Sequence, residues 1–179
     1  MGLPGSQRDV QRLVEEHYVA LYRYAYRLAG SVADAEDLTQ EAFCKAQMHL
    51  GQLRDATRAR AWLFCILRNL YLHKLRAEKH QPCVSLADWQ NIPEPPAPNG
   101  LPVEPERLQK VLNELPEGFR TPVILFYFEE FSYREIAEQM DLPLGTVMSR
   151  LARAKAYLRE RLIQPVEMAD GRRRATDGL

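Results

Sequence analysis

No run of apolar residues in this chain approaches the length of a membrane span, so the sequence is expected to make no membrane contact. Cysteine is scarce as well. Cys44, Cys65 and Cys83 are odd in number, lie far apart and form no C-x-x-C, which argues against a disulfide framework or a zinc finger. His73, His80 and Cys83 come nearest to a ligand set, yet they lack a recognised spacing and a fourth donor, so neither metal nor cofactor is expected. There is no secretory signal. The start, Met1-Gly2-Leu3-Pro4-Gly5-Ser6, fits a myristoylation pattern but has no basic cluster or second lipid signal beside it; a cytoplasmic location is the expectation.

Net charge is absent too, with 24 Lys and Arg balancing 24 Asp and Glu, but the charges are sorted along the chain. Asp34 to Glu41 holds four acids and no base, and Arg54 to Lys79 holds seven bases against two acids. From Leu144 to Ile163 five bases (Arg150, Arg153, Lys155, Arg159, Arg161) face the single acid Glu160. Segregated patches on a neutral chain imply more than one kind of partner.

The stretch from Phe131 to Leu158 organises the rest. Ser132-Tyr133-Arg134-Glu135 has the S-x-x-E form of a capping box and predicts a helix starting at Ser132. Asp141-Leu142-Pro143 interrupts that helix, since proline disfavours helix in the residue before it and suits the first turn of a new one. In the second helix Val147, Leu151, Ala154 and Leu158 form a buried stripe, with Thr146, Ser149, Arg150 and Arg153 on or near the opposite face. A short helix, a tight turn and a basic amphipathic helix have the form of a DNA-reading helix-turn-helix, although an ordinary solvated charged face has the same pattern.

Upstream, Val10 to Leu28 keeps helical apolar spacing and stops at Gly30-Ser31. Asp34 to Leu50 is a second helix with Leu38, Ala42, Ala46 and Leu50 inward and an acidic outer side. Its Asp34, Asp37 and Glu41 could hold a metal, serve as acid and base, favour the helix dipole or dock a basic partner; no histidine or further carboxylate completes a catalytic site, so no enzyme is expected. A polar, Arg-rich loop, Gly51 to Arg60, leads into a third helix, Ala61 to about Lys79. Steps of 100° put Leu63, Leu67 and Leu70 in the core and gather Trp62, Cys65, Asn69, His73 and Arg76 in another sector. An aromatic, an amide and cations on one face suit unpaired nucleic acid, offering stacking, edge hydrogen bonds and phosphate charge; the alternative is a Trp62 buried in the core.

Residues 81–105 carry seven of the twelve prolines and read as a semi-rigid linker between two small bundles. The predicted fold is all-α: an N-terminal bundle over 8–80, the Pro-rich linker, a C-terminal bundle over 106–164 containing the helix-turn-helix, and a disordered tail over 165–179. In the C-terminal bundle a short helix through Leu108, Val111, Leu112 and Leu115 ends at Pro116, and Pro122 to Phe131 is a second, strongly apolar helix.

Two distant stretches resemble one family, the extracytoplasmic-function (group IV) sigma factors of bacterial RNA polymerase. Asp34-Ala35-Glu36-Asp37-Leu38-Thr39-Gln40-Glu41-Ala42-Phe43 is similar to the family's polymerase-docking segment, and Ala61-Trp62-Leu63-Phe64-Cys65-Ile66-Leu67-Arg68-Asn69 to its promoter-melting helix. Tyr133 to Glu138, Gly145 to Leu151 and Arg153-Ala154 resemble its C-terminal reading domain. The resemblance implies docking on core RNA polymerase through Asp34, Asp37, Gln40 and Glu41. It implies opening of the minus-10 element of promoter DNA by Arg58, Arg60, Trp62, Asn69, His73 and Arg76, and minus-35 reading by Thr146, Ser149, Arg150, Arg153 and Lys155. It also implies a possible anti-sigma partner. His73, where many relatives carry an acid, and Gln47, where an aromatic is common, depart from the family pattern.

Overall fold

The structure is a computed structural model that describes residues 7–78 and 104–163. Most of the expected linker, His80, Cys83 and the tail lie outside the described residues. Seven α-helices follow in order: α1 (Gln7–Ala29), α2 (Val32–His49), α3 (Ala59–Glu78), α4 (Pro105–Glu114), α5 (Glu117–Tyr127), α6 (Tyr133–Met140) and α7 (Leu144–Ile163). Two short 3-10 turns, Leu50–Gln52 and Ala56–Arg58, join α2 to α3, and no strand occurs among the described residues.

The stops and starts have local causes. Gly30 sits at φ +78° and its N–H donates to the Tyr26 carbonyl, a left-handed close that favours glycine. Ser31 then caps α2, its hydroxyl accepting from the Asp34 N–H at 3.2 Å. The capping box of α6 is complete: Ser132 accepts from the Glu135 N–H and the Glu135 carboxylate accepts from the Ser132 N–H at 2.8 Å. Asp141, left-handed at φ 51°, ends α6, and α7 winds up just after Pro143.

One expectation needs correction. The apolar helix begins at Glu117 rather than Pro122 and ends at Tyr127, so Pro122 lies inside it and Phe128 to Phe131 form a turn. Proline supplies no N–H, so the carbonyl four residues earlier, that of Gly118, loses its helical donor. Arg150 of α7 fills the gap, its Nη1 donating to the Gly118 oxygen at 3.2 Å.

The two bundles share one continuous core. α1, α2 and α3 bury Leu21, Tyr24, Leu28, Leu38, Ala42, Leu63 and Leu67; α4 to α7 bury Leu112, Leu115, Phe119, Ile124, Ile136, Val147 and Leu151. Phe64 joins them. Its ring stacks on Tyr24 at 4.7 Å and meets Phe131 of the second bundle at 5.1 Å. Beside this stack Arg120 closes helix ends in both bundles, donating to the Leu28 carbonyl of α1 at 2.7 Å and to the Asn113 carbonyl of α4 at 2.7 Å. Gln109 donates likewise to the Arg27 carbonyl at 3.1 Å. Such groups are the carbonyls a helix C-terminus leaves open.

Gly30 faces this junction: a Cβ there would come within 2.7 Å of the Asn113 side chain. Gly30→Ala is expected to lower the unfolding free energy by about 1–2 kcal/mol, the cost of a left-handed alanine, with the crowding of Asn113 added. Urea denaturation of the full chain reads this, and an unchanged midpoint would show that the junction yields freely.

Candidate nucleic-acid interface

α2 carries its acids outward, as the four-residue inward stripe requires: Leu38, Ala42 and Ala46 are buried, while Asp37, Gln40 and Glu41 are exposed on one side. Asp34 behaves differently. Its carboxylate accepts from Lys74 of α3 and from the Ser31 hydroxyl, and these hydrogen bonds hold it below the usual aspartate range. Asp34 therefore ties α2 to α3, leaving Asp37, Gln40 and Glu41 as the open part of the predicted docking face. Among the described residues no group of three or more His, Cys, Asp and Glu is placed to hold a metal.

α3 separates its two sectors as the 100° steps require. Leu63, Phe64, Leu67, Leu70 and Tyr71 are buried, Asn69, His73 and Arg76 are exposed, and Trp62 and Cys65 are half-buried between the two classes. Trp62 packs against the core and also lines a cleft of about 320 Å³ with Lys45, His49, Asn69 and His73. Asn69 faces Cys65 Sγ at 3.7 Å, and its amide is otherwise turned to solvent. This cleft brings together most of the α3 residues singled out for unpaired bases.

Arg58 and Arg60 are both ion-paired to the second bundle. Arg58 pairs with Glu138 of α6 at 3.0 Å, both side chains being solvent-exposed. Arg60 donates to the Glu129 carbonyl at 2.7 Å and to its carboxylate at 3.2 Å, and lies over the Phe131 ring. Glu129 is 1 % exposed. Burial pushes its carboxyl above the ordinary glutamate range against the pull of Arg23, Arg60 and Arg27. None of these cross-bundle pairs was visible in the sequence, because more than sixty residues separate the partners and no periodicity links them.

On α7, Ser149 and Lys155 are exposed, whereas Thr146, Arg150 and Arg153 are half-buried. Ser149 donates to the Thr146 carbonyl at 3.0 Å, which places both at the helix start. Arg150 was expected to point outward, but one arm of its guanidinium is held by the Gly118 carbonyl. A guanidinium has five N–H donors, so it can brace α5 and still present others outward.

The comparisons with known proteins cover both bundles. Residues 13–81 match the Sigma-70 region 2 family and residues 106–158 the family described as Sigma-70, region 4. The chain is 34% identical over 153 residues to the ECF RNA polymerase sigma factor SigL of Mycobacterium tuberculosis, covering 84% of this chain and 86% of that one. It is 29% identical over 177 residues to the ECF RNA polymerase sigma factor SigW of Bacillus subtilis, covering 88% and 91%. Among solved structures it is similar to the sigma factor RpoE in complex with the anti-sigma factor NepR from Bartonella quintana, with a TM-score of 0.70 and 28% identity over 87% of this chain and 97% of that one. It is also similar to CnrH in complex with the cytosolic domain of CnrY, with a TM-score of 0.60 and 28% identity over 87% and 88%.

Two outcomes follow from the geometry. Arg150→Ala is expected to cost about 1–3 kcal/mol of stability by stranding the Gly118 carbonyl, and in a Pro122→Ala background, where residue 122 regains its N–H, that cost should shrink. A double-mutant cycle in urea measures the coupling; strict additivity would detach Arg150 from the proline gap. For Asp34, whose carboxyl is lower when folded than when unfolded, the stabilisation is present above the unfolded value and is lost as pH falls through the folded one. Asp34→Asn should therefore lower the denaturation midpoint at neutral pH and flatten its decline on acidification, and parallel pH profiles for the two proteins would show that Asp34 contributes no such linkage.

Proposed function

The chain belongs to the extracytoplasmic-function sigma factors of the sigma-70 family, and from that premise we propose how its surfaces divide the work of initiation. As a sigma factor it is a DNA-binding subunit of transcription, a partner of core RNA polymerase and promoter DNA in the cytoplasm, rather than an enzyme. Docking on core polymerase falls to the exposed Asp37, Gln40 and Glu41 of α2, whose negative and amide groups suit a basic surface.

Opening of the minus-10 element falls to α3. Trp62 at the cleft wall offers a π-face, Asn69 and His73 offer edge hydrogen bonds, and Arg76 and the loop arginines Arg58 and Arg60 offer phosphate charge. Capturing an unpaired base in that cleft offsets the few kcal/mol needed to unstack it, so strand separation is driven by binding and needs no chemistry. The minus-35 element is read as duplex by α7 in the major groove. Arg153 and the free arms of Arg150 reach base edges, where a bidentate contact to guanine is worth about 1–3 kcal/mol per correct base, and Thr146, Ser149 and Lys155 set the helix on phosphate.

The observation that carries this reading is the α3 sector, in which Trp62, Asn69 and His73 share one open cleft remote from the recognition helix. An ordinary helix-turn-helix regulator has no use for it. Because RpoE and CnrH were solved with anti-sigma partners, an anti-sigma factor is also part of the proposal for this chain.

In vitro transcription with core polymerase on a promoter library tests the whole reading. The wild-type chain is expected to start transcripts from a subset of promoters, and Asp37→Lys combined with Glu41→Lys to reduce them about tenfold or more while duplex binding survives. Failure of the wild type to initiate anywhere would end the reading; tight duplex binding without polymerase and without strand opening would assign the chain to the simple regulators instead.

A further inference from the structure

The two hollows that Trp62 borders differ in charge. The larger, about 560 Å³, is also lined by the carboxylates of Asp55, Glu135 and Glu138. The smaller, the cleft of about 320 Å³, has no Asp or Glu among the described residues that line it. Trp62, Ile66 and Leu70 supply its apolar surface. Its polar groups come from two helices and the turn between them: Lys45 and His49 of α2, Gln52, and Asn69 and His73 of α3.

These groups are weighted toward donors. An ammonium has three N–H groups and no acceptor, and an indole N–H only donates. Lys45 meets Glu41 at 3.9 Å, a long contact between solvent-exposed side chains that leaves its head available to a ligand. The Gln52 Nε2 lies 3.4 Å from His49 Nδ1; an amide N–H donates, so in that contact Nδ1 accepts and the ring proton sits on Nε2. Asn69 turns one N–H to Cys65 Sγ at 3.7 Å. What is left to accept is the amide oxygens of Gln52 and Asn69 and one ring nitrogen of a neutral His73, none of them charged.

Bases differ in the same respect. Guanine offers O6 and N7 and thymine offers O4, all acceptors, whereas cytosine and adenine present an exocyclic amine. A carbonyl turned to Lys45 gains a charge-assisted bond. An amine turned there meets another donor and is left without a partner, which is costly once water is displaced. The amides of Gln52 and Asn69 favour neither class, since each carries both a donor and an acceptor.

We propose that this cleft selects the base it captures, taking a keto base, guanine before thymine, and rejecting the amino bases. Lys45 and His73 set the choice, and Trp62 is the surface on which the base stacks. The selection rests on the reading of this cleft as the strand-capturing site and adds the base that reading leaves open. Guanine leads because its two adjacent acceptors can be met by one donor from α2 and one from α3.

The experiment uses the full chain carrying Trp89→Phe, a change outside the described residues that leaves Trp62 as the only indole. The probes are short single strands of stable abasic spacers with one central guanine, thymine, adenine, cytosine or no base. Titration at low salt follows Trp62 emission and the anisotropy of the labelled strand. The guanine strand is expected to bind about fivefold or more tighter than the cytosine strand, with thymine between them. Lys45→Met should bring the guanine-to-cytosine ratio toward one, Lys45→Arg should keep it, and His73→Asp, which adds a charged acceptor, should turn it toward cytosine. The ratio is the readout because a lost cation weakens phosphate contact equally for every strand. Circular dichroism checks that each variant keeps its helix content.

Equal affinity for the four bases overturns the selection, and so does a wild-type preference for cytosine or adenine. No gain over the abasic strand overturns capture in this cleft altogether. A ratio unmoved by Lys45→Met and His73→Asp removes both residues from the choice and overturns their assignment. Initiation with core polymerase separates the failures: a chain that initiates without discriminating bases fails this inference alone, and one that discriminates them yet initiates nowhere fails the sigma reading and leaves the selection standing.

Discussion

Phe64 holds this molecule together as one body. Its ring is fully buried between Tyr24 of α1 and Phe131 of the second bundle, so the side chain that completes one core also begins the other. α3 is thereby obliged to bury two flanks and has a single sector left for solvent, the one bearing Asn69, His73 and Arg76. The position of the cleft lined by Trp62, Asn69 and His73 follows from that constraint. A helix that packs on only one neighbour would have spread its polar groups over half its circumference and could not have collected them so narrowly.

Much of this was legible in the sequence because the signals are local. Ser132 and Glu135 three residues apart, Gly30 followed by Ser31, and Asp141-Leu142-Pro143 each specify a helix end within one turn, and each end falls within a residue or two of where those signals put it. The α3 sectors follow from 100° steps alone. What the sequence withheld is non-local. Asp34 has the look of a free docking acid until α3 brings Lys74 to it, and Arg58 and Arg60 look unpaired until Glu138 of α6 and Glu129 of the turn before it reach them. One hint was present: Leu63, Phe64, Leu67, Leu70 and Tyr71 make an apolar face wider than one neighbour needs, which signals a helix packed on two sides.

Pro122 shows how a sound local rule is overridden. A proline past the first turn removes a donor and strands a carbonyl, so starting the helix at Pro122 was the economical reading. The chain instead starts α5 at Glu117 and supplies the missing donor from Arg150, 28 residues further on. Arg150, a residue of the basic helix α7, is thus also a brace for the helix behind it.

The charge of this neutral protein is sorted between its outer faces and the seam. Acids on α2 face outward, while acids of the second bundle face arginines of the first. Glu129 is the informative case: burial raises its carboxyl even with Arg23, Arg60 and Arg27 nearby, so the seam holds a charge that water would hold better. Burial of that kind is poor stabilisation, and a seam of leucines in its place would have been tighter.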